Sequence, residues 1–108
     1  MTARDDRAGA VFQALADPTR RKVIALLSSS GPVTATQLAG RLPITRQAIA
    51  KHLAALAAAG LVSAAREGRE VRYRLTPPPL RDAVSWMATV GAEWDARLDA
   101  LRRHLGSR

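Results

Sequence analysis

Apolar positions along the chain recur at helical spacing, switch briefly to strand spacing, and then return to helical spacing for the last third. Val11, Phe12 and Leu15 predict a short first helix over residues 8–16, behind a polar arm of mixed charge over residues 1–7. Asp17-Pro18 ends that helix and opens a second, because aspartate is a good N-cap and proline suits the first helical turn. This second helix is predicted from residue 18 to about 29, burying Val23, Ile24 and Leu27. Arg20, Arg21 and Lys22 point in different directions around it and are read as solvated charge. Ser28-Ser29-Ser30-Gly31-Pro32 is a turn by composition, and Thr34-Ala35-Thr36-Gln37 fits a capping box. That box opens a short third helix carrying Leu38, Ala39 and Leu42 until Pro43 interrupts it.

Thr45 sits where the N-cap of a fourth helix belongs, with Ile44 and Ile49 placed for a hydrophobic staple. Ile49, Leu53, Leu56 and Ala57 form its apolar side, and Gly60 takes the left-handed position that stops it. The period then changes. Val71, Tyr73 and Leu75 alternate with Arg72 and Arg74, so the apolar three are expected to face the core, and Gly68 supplies the turn of a hairpin. Leu75 is placed to staple onto Leu80. Leu80, Val84, Met87, Gly91, Trp94, Leu98, Leu101 and Leu105 then step by four and three, a heptad seam on a helix of about residues 78–105. Because each proline of Pro77-Pro78-Pro79 disfavours helix in its predecessor, the first turn is expected nearer Pro79. At 1.5 Å per residue this helix is about 39 Å long, more than so small a domain can cover. Gly91 permits two backbones to approach closely, and Trp86, Val90 and Trp94 widen the apolar face. A homodimer through the last helix follows, with Val11, Phe12 and Leu15 of the first helix alongside.

A short helix, a turn of about three residues and a longer capped helix with a polar N-terminal face is the helix-turn-helix plan. The expected fold is thus mainly helical with a small β-hairpin: a winged helix-turn-helix of four helices, two strands and a last helix, dimeric, over residues 8–108. On the fourth helix, Thr45, Arg46, Gln47, Ala50 and Lys51 are left for solvent, with His52 at the edge. Arg pairs with guanine, Gln with adenine, and an alanine methyl meets a thymine methyl, so this face carries a major-groove vocabulary. Thr36 and Gln37 complete the helical part of the candidate DNA-binding set, and Arg66, Arg69 and Arg72 supply the wing.

The 108 residues make one domain with a thin core, and a net charge of +8 points to a polyanionic partner. Residues 45–75 hold six Arg or Lys against two Glu, whereas residues 76–108 hold five against four, so the charge gathers around the proposed reading helix and wing. Four aromatics in the whole chain provide no stacking platform for single strands or RNA. Cysteine is absent, which removes disulfides and thiolate metal sites and fits a reducing compartment. No apolar run approaches the roughly 20 residues of a membrane span and no signal-like stretch follows the start, so the chain is read as cytoplasmic, with no membrane partner. Nothing resembles an enzyme site: no nucleophile sits in a known turn, no glycine-rich phosphate loop follows a strand, and two isolated histidines make no acid-base pair. A winged helix that holds a protein rather than DNA, and a repressor answering a small-molecule effector in a Trp-lined pocket, stay open as alternatives.

The ordered set Leu15-Ala16-Asp17-Pro18-Thr19-Arg20, Gln37-Leu38-Ala39, Ala48-Ile49-Ala50-Lys51-His52-Leu53, Ala59-Gly60-Leu61-Val62, Gly68-Arg69 and Tyr73-Arg74-Leu75 resembles the ArsR/SmtB family of winged-helix repressors. The likeness covers about residues 8–105. It implies a homodimer with the first and last helices at the interface, blocking transcription from an inverted-repeat operator in double-stranded DNA. It also places DNA contact on Thr45, Arg46, Gln47, Ala50, Lys51 and His52, with wing contact near residues 66–72. Ala50 stands where many members carry serine. The family's metal sensors use Cys pairs in the third-helix region, or an Asp and two His with a further acid on the last helix. Here there is no Cys, the one late His is His104, and Asp82, Glu93, Asp95 and Asp99 lack partner imidazoles. No metal and no cofactor are therefore expected. With Trp86 and Trp94 in the last helix, the chain is similar to metal-free members encoded beside START-type (SRPBCC) proteins.

Overall fold

Asp17 both separates the first two helices and starts the second. In the computed structural model, which describes residues 3–106, its carboxylate accepts from the backbone N–H of Thr19 at 2.7 Å and of Arg20 at 3.1 Å. It thereby caps α2 (Pro18–Ser30), whose first residue has no N–H to leave unsatisfied. Arg20 and Arg21, expected as solvated charge, turn back instead onto the end of α1 (Ala3–Leu15). Arg20 donates to the Ala14 carbonyl at 3.3 Å, and Arg21 to those of Leu15 at 2.7 Å and Ala16 at 3.2 Å. Helix C-termini leave carbonyls without partners, and cations satisfy them. The helix α1 begins at Ala3 rather than Ala8, so the arm expected over residues 1–7 is helical from Ala3 onward; residues 1 and 2 lie outside the described residues. Alanine favours helix, and Asp6 in the opening turns complements the positive end of the dipole.

A two-residue strand that sequence patterning does not reveal, β1 (Val33–Thr34), precedes α3 (Ala35–Ala39). The capping box is reciprocal: Gln37 N–H donates to Thr34 Oγ1 at 3.1 Å, and Thr34 N–H to Gln37 Oε1 at 2.9 Å. The helix α3 stops at Ala39, leaving Leu42 outside, so the connection over residues 40–45 is longer than the three or so residues expected. Gly40 is a poor helix former, and Leu42 precedes Pro43, which pushes it out of the helical region. The next helix, α4 (Arg46–Ala58), opens as expected, with Thr45 Oγ1 accepting from Ala48 N–H at 3.1 Å. It closes with Gly60 at φ 78°. Leu61 N–H reaches Leu56 O and Gly60 N–H reaches Ala57 O, both at 2.9 Å, which is a Schellman closure. Ala57 itself is exposed, since one residue beyond Leu56 turns it by about 100° off the buried stripe.

The hairpin of β2 (Val62–Glu67) and β3 (Glu70–Leu75) pairs Val62 with Leu75 and Glu67 with Glu70. Gly68 at φ 65°, followed by Arg69 at an ordinary φ, makes the two-residue turn type II′. The middle strand β3 also pairs with β1, Val33 opposite Tyr73 and Thr34 opposite Arg72, giving an antiparallel sheet ordered β1-β3-β2. Tyr73 and Leu75 pack against the core. Val71 was expected to face it as well, but it lies nearer the tip and is 39 % exposed. The last helix, α5 (Pro77–Gly106), starts earlier than the expected Pro79. The first N–H groups of any helix have no intrahelical acceptor, so three prolines there forfeit no hydrogen bond.

The core gathers Val11, Val23, Leu27, Leu38, Ile49, Leu53, Leu56 and Leu61, with Ala83 from α5. Val11, expected at a subunit interface, has no exposed surface and belongs to this core. Phe12, Leu15 and Leu80, expected there too, are half-buried against the same core, and the Phe12 ring packs on Trp86 at 5.5 Å between centroids. Beyond that contact α5 projects away. The radius of gyration is 18.7 Å, against about 13 Å for a compact chain of this length. Val84, Met87, Trp94, Leu98, Leu101 and Leu105 are each 45–60 % exposed, and the Arg97 guanidinium lies 5.3 Å from the Trp94 ring centre. Among the described residues no helix is long and apolar enough to cross a membrane.

The Arg20 backbone N–H is the largest cause holding the Asp17 carboxyl below the usual carboxylate range; burial opposes it, while the Thr19 N–H and the charges of His52 and Arg20 add to the lowering. A lowered folded pKa means stability that is present above the ordinary carboxylate pKa and lost as pH falls through the lowered value. Asp17→Ala is expected to reduce the thermal midpoint at neutral pH, with a deficit that shrinks in acid. Asp17→Asn keeps a capping side chain and should lose that pH dependence; melts between about pH 7 and pH 3 measure both.

Candidate nucleic-acid interface

The fully buried Ile49, Leu53 and Leu56 turn the opposite side of α4 to solvent. Thr45, Arg46, Gln47, Ala50 and Lys51 are exposed there, at the end of the helix where the dipole is positive. An open groove of about 530 Å³ runs between the start of α3, the first turns of α4 and the hairpin tip. Its walls are Thr34, Ala35, Thr36 and Gln37, then Arg46 and Ala50, then Arg69, Glu70, Val71 and Tyr73. Five residues singled out from the sequence, Thr36, Gln37, Arg46, Ala50 and Arg69, therefore meet around one concavity although they come from three separate stretches. Gln37 spends its Oε1 on the capping box, which leaves its amide N–H pair for an outside acceptor. Among the described residues, Arg46, Gln47, Lys51 and Arg69 have side chains in no hydrogen bond or ion pair.

Other expected members stand elsewhere. Lys51 is exposed beyond the groove wall, while His52 is half-buried and close enough to Asp17 for its charge to act on that carboxyl. His52 thus sits by the cap of α2 rather than in the groove. The wing arginines divide by strand alternation: Arg66 is cross-strand to Val71, which lines the groove, whereas Arg72 and Arg74 take the other face. Arg66 Nε makes a long 3.4 Å bond to the Gly68 carbonyl. Arg72 is held by two carboxylates, Nε to Glu67 Oε2 at 3.2 Å and Nη2 to Glu70 Oε2 at 3.0 Å, and Arg74 Nη2 lies 3.9 Å from Glu67 Oε1. Neither glutamate was singled out from the sequence. The signal was available: a two-residue turn at Gly68-Arg69 fixes the register that puts Glu67, Glu70 and Arg72 on one side. Among the described residues no group of three or more His, Asp or Glu side chains is placed to hold a metal ion.

This arrangement has counterparts. Residues 15–63 match the family model described as a helix-turn-helix domain. The transcriptional repressor SdpR of Bacillus subtilis is 39 % identical over 77 residues, covering 71 % of this chain and 84 % of that one. The ArsR-like transcriptional regulator of Rhodococcus sp. RHA1 superposes with a TM-score of 0.84 at 41 % identity, over 97 % of each chain. The chain belongs to the ArsR/SmtB family of winged helix-turn-helix transcriptional regulators. That family consists of DNA-binding regulators, not enzymes. A homodimeric winged helix-turn-helix DNA-binding domain from Mycobacterium bovis shares the fold at 27 % identity, with a TM-score of 0.62 over 95 % of this chain and 85 % of that one. In this ArsR-family member the winged part is thus α3, α4 and the β2–β3 hairpin, and the groove lies where all three meet.

Proposed function

We propose that this chain is a homodimeric repressor that covers an inverted-repeat operator in double-stranded DNA. The observation that carries the proposal is the convergence of Thr36, Gln37, Arg46, Ala50 and Arg69 on one open groove at the positive end of α4. Arg46 and Gln47 address base edges in the major groove, with the Ala50 methyl placed for a thymine methyl. Lys51, Arg66 and Arg69 meet phosphate, as do the hydroxyls of Thr36 and Thr45. The protein works in the cytoplasm, where a cysteine-free chain of this charge is at home.

The exposed seam of α5 supports the dimer, because water-facing Met87, Trp94, Leu98, Leu101 and Leu105 form a contiguous apolar stripe that a second copy covers. The homodimeric state named for the M. bovis domain agrees with it. The absence of cysteine supports sensing without a metal, since the soft and borderline ions of this family's sensors require thiolate or imidazole ligands. Together with Trp86 and Trp94 on α5 it favours the START-associated type within the family.

Four outcomes check this reading. Gln47→Ala should lose about 1–3 kcal/mol on the cognate operator and little on random duplex, relaxing preference at one base position per half-site; equal losses on every duplex would remove α4 as the reader. Arg69→Ala should weaken both duplexes alike and flatten the salt slope by about one unit. Leu98→Asp with Leu101→Asp should yield monomers or unfolded protein in light scattering, because apolar burial worth roughly 25 cal/mol per Å² is replaced by buried charge; a surviving dimer contradicts the seam. Chelator or added zinc, at fixed ionic strength, should leave operator affinity within about tenfold, and a larger change would restore a metal site.

A further inference from the structure

The hairpin carries its charge unequally on its two faces. Glu67, Glu70, Arg72 and Arg74 share one face by strand alternation, with Glu70 also at the groove's edge near the tip, and their charges sum to zero; Arg66 and Arg69 lie toward the groove and sum to +2. Within the first set, Arg72 and its two carboxylates together carry −1. Glu67 and Glu70 are directly cross-strand, where like charges repel, and the Arg72 guanidinium between them, with Arg74 Nη2 3.9 Å from Glu67, relieves that repulsion. The side chain of Arg72 is 33 % exposed and that of Arg74 is 51 % exposed, so Arg72 is the one held down. Its backbone is fixed as well, because it lies in the central strand with Thr34 opposite on β1.

We infer that Glu67 and Glu70 hold Arg72 back from DNA, so that the wing grips phosphate from one face only and the pair of glutamates sets how strongly the chain holds any duplex. The inference rests on the proposed placement of the groove against DNA. A wing tip entering a minor groove about 6 Å wide has a phosphate strand on each side. On the groove side Arg66 and Arg69 are available to one strand. On the other side a phosphate that approaches Arg72 also approaches two carboxylates at the same range, and with Arg74 beside Glu67 the four charges cancel, so that face offers phosphate no net attraction. Glu67 and Glu70 are thus positioning residues, acting on DNA through Arg72 and not by touching it.

The test uses the full chain and a labelled random-sequence duplex, titrated across a range of salt. Each phosphate contact adds about 0.9 to the slope of log affinity against log salt, worth on the order of tenfold at about 0.1 M. Glu67→Gln with Glu70→Gln is expected to bind on the order of tenfold tighter and to steepen the slope by about one unit. Adding Arg72→Gln to that pair should cancel both changes. Glu67→Gln alone, which leaves Arg72 its bond to Glu70, should give a smaller gain in the same direction and serves if the double variant does not fold. Unchanged affinity and slope overturn the inference, and so does a gain that survives Arg72→Gln, because repulsion alone then accounts for it. Arg69→Ala in the same titration separates the two readings. If it weakens binding while the glutamate variants change nothing, the inference fails and the groove reading stands; if it too changes nothing, the wing does not meet DNA and both fail.

Discussion

Burial of one stripe of α4 is the constraint on which the rest of the molecule depends. Ile49, Leu53 and Leu56 have no exposed surface, and each such side chain is worth roughly 1.5–3 kcal/mol against exposure. No polar contact on the opposite side of the helix approaches that sum, so the rotation of α4 about its axis is decided by what it buries. Its polar face is therefore pointed outward before any partner arrives. The two ends are fixed by different means: the Thr45 hydroxyl caps the start, and the left-handed Gly60 turns Leu61 back under the helix as a further core residue. A helix held this firmly loses little conformational freedom when it meets a ligand.

The same economy places the neighbours. The central strand β3 is paired on one side with β1, which runs straight into the capping box of α3, and on the other with β2, which leaves the end of α4 through Gly60. The start of α3 and the end of α4 are thereby tied to the hairpin through one small sheet, and the groove is built on regular elements. The wing's charge is arranged by its register rather than by its composition. Four arginines and two glutamates alternate through the hairpin, yet the two-residue turn gathers both acids around Arg72 and leaves Arg66 and Arg69 on the groove side. The projecting half of α5 is the opposite case: nothing among the described residues covers its seam, and that is the surface the proposed second copy buries.

Elements with two marked ends were legible in the sequence. Asp17-Pro18 and Thr45 with Gly60 each announce a helix through groups that must satisfy orphan N–H or carbonyl groups, and the alternation from Val71 to Leu75 announces a strand. The heptad of α5 was legible because its period persists over seven turns. Where the signal failed, the cause is specific. The strand β1 is two residues long and has no period; α3 ends at Ala39 although Leu42 continues its apolar spacing; and the prolines of α5 read as a barrier although the first turn of a helix requires none of their missing donors. The candidate groove was legible residue by residue, since five of its lining side chains were expected on DNA. What the chain order hid was direction. That Val11 belongs wholly to the core, that His52 is half-buried outside the groove and that Arg72 is held by Glu67 and Glu70 depend on packing and register, which spacing along one element does not determine.

The central claim is that two copies of the α4 face lie in successive major grooves of one duplex. Methylation interference on the operator tests it most directly, because dimethyl sulfate marks guanine N7 in the major groove, the edge that Arg46 is placed to reach. The account predicts two patches of interference related by two-fold symmetry and centred about 34 Å apart, one helical turn. A single patch, or binding that no guanine N7 methylation disturbs on operators containing guanine in both half-sites, contradicts it.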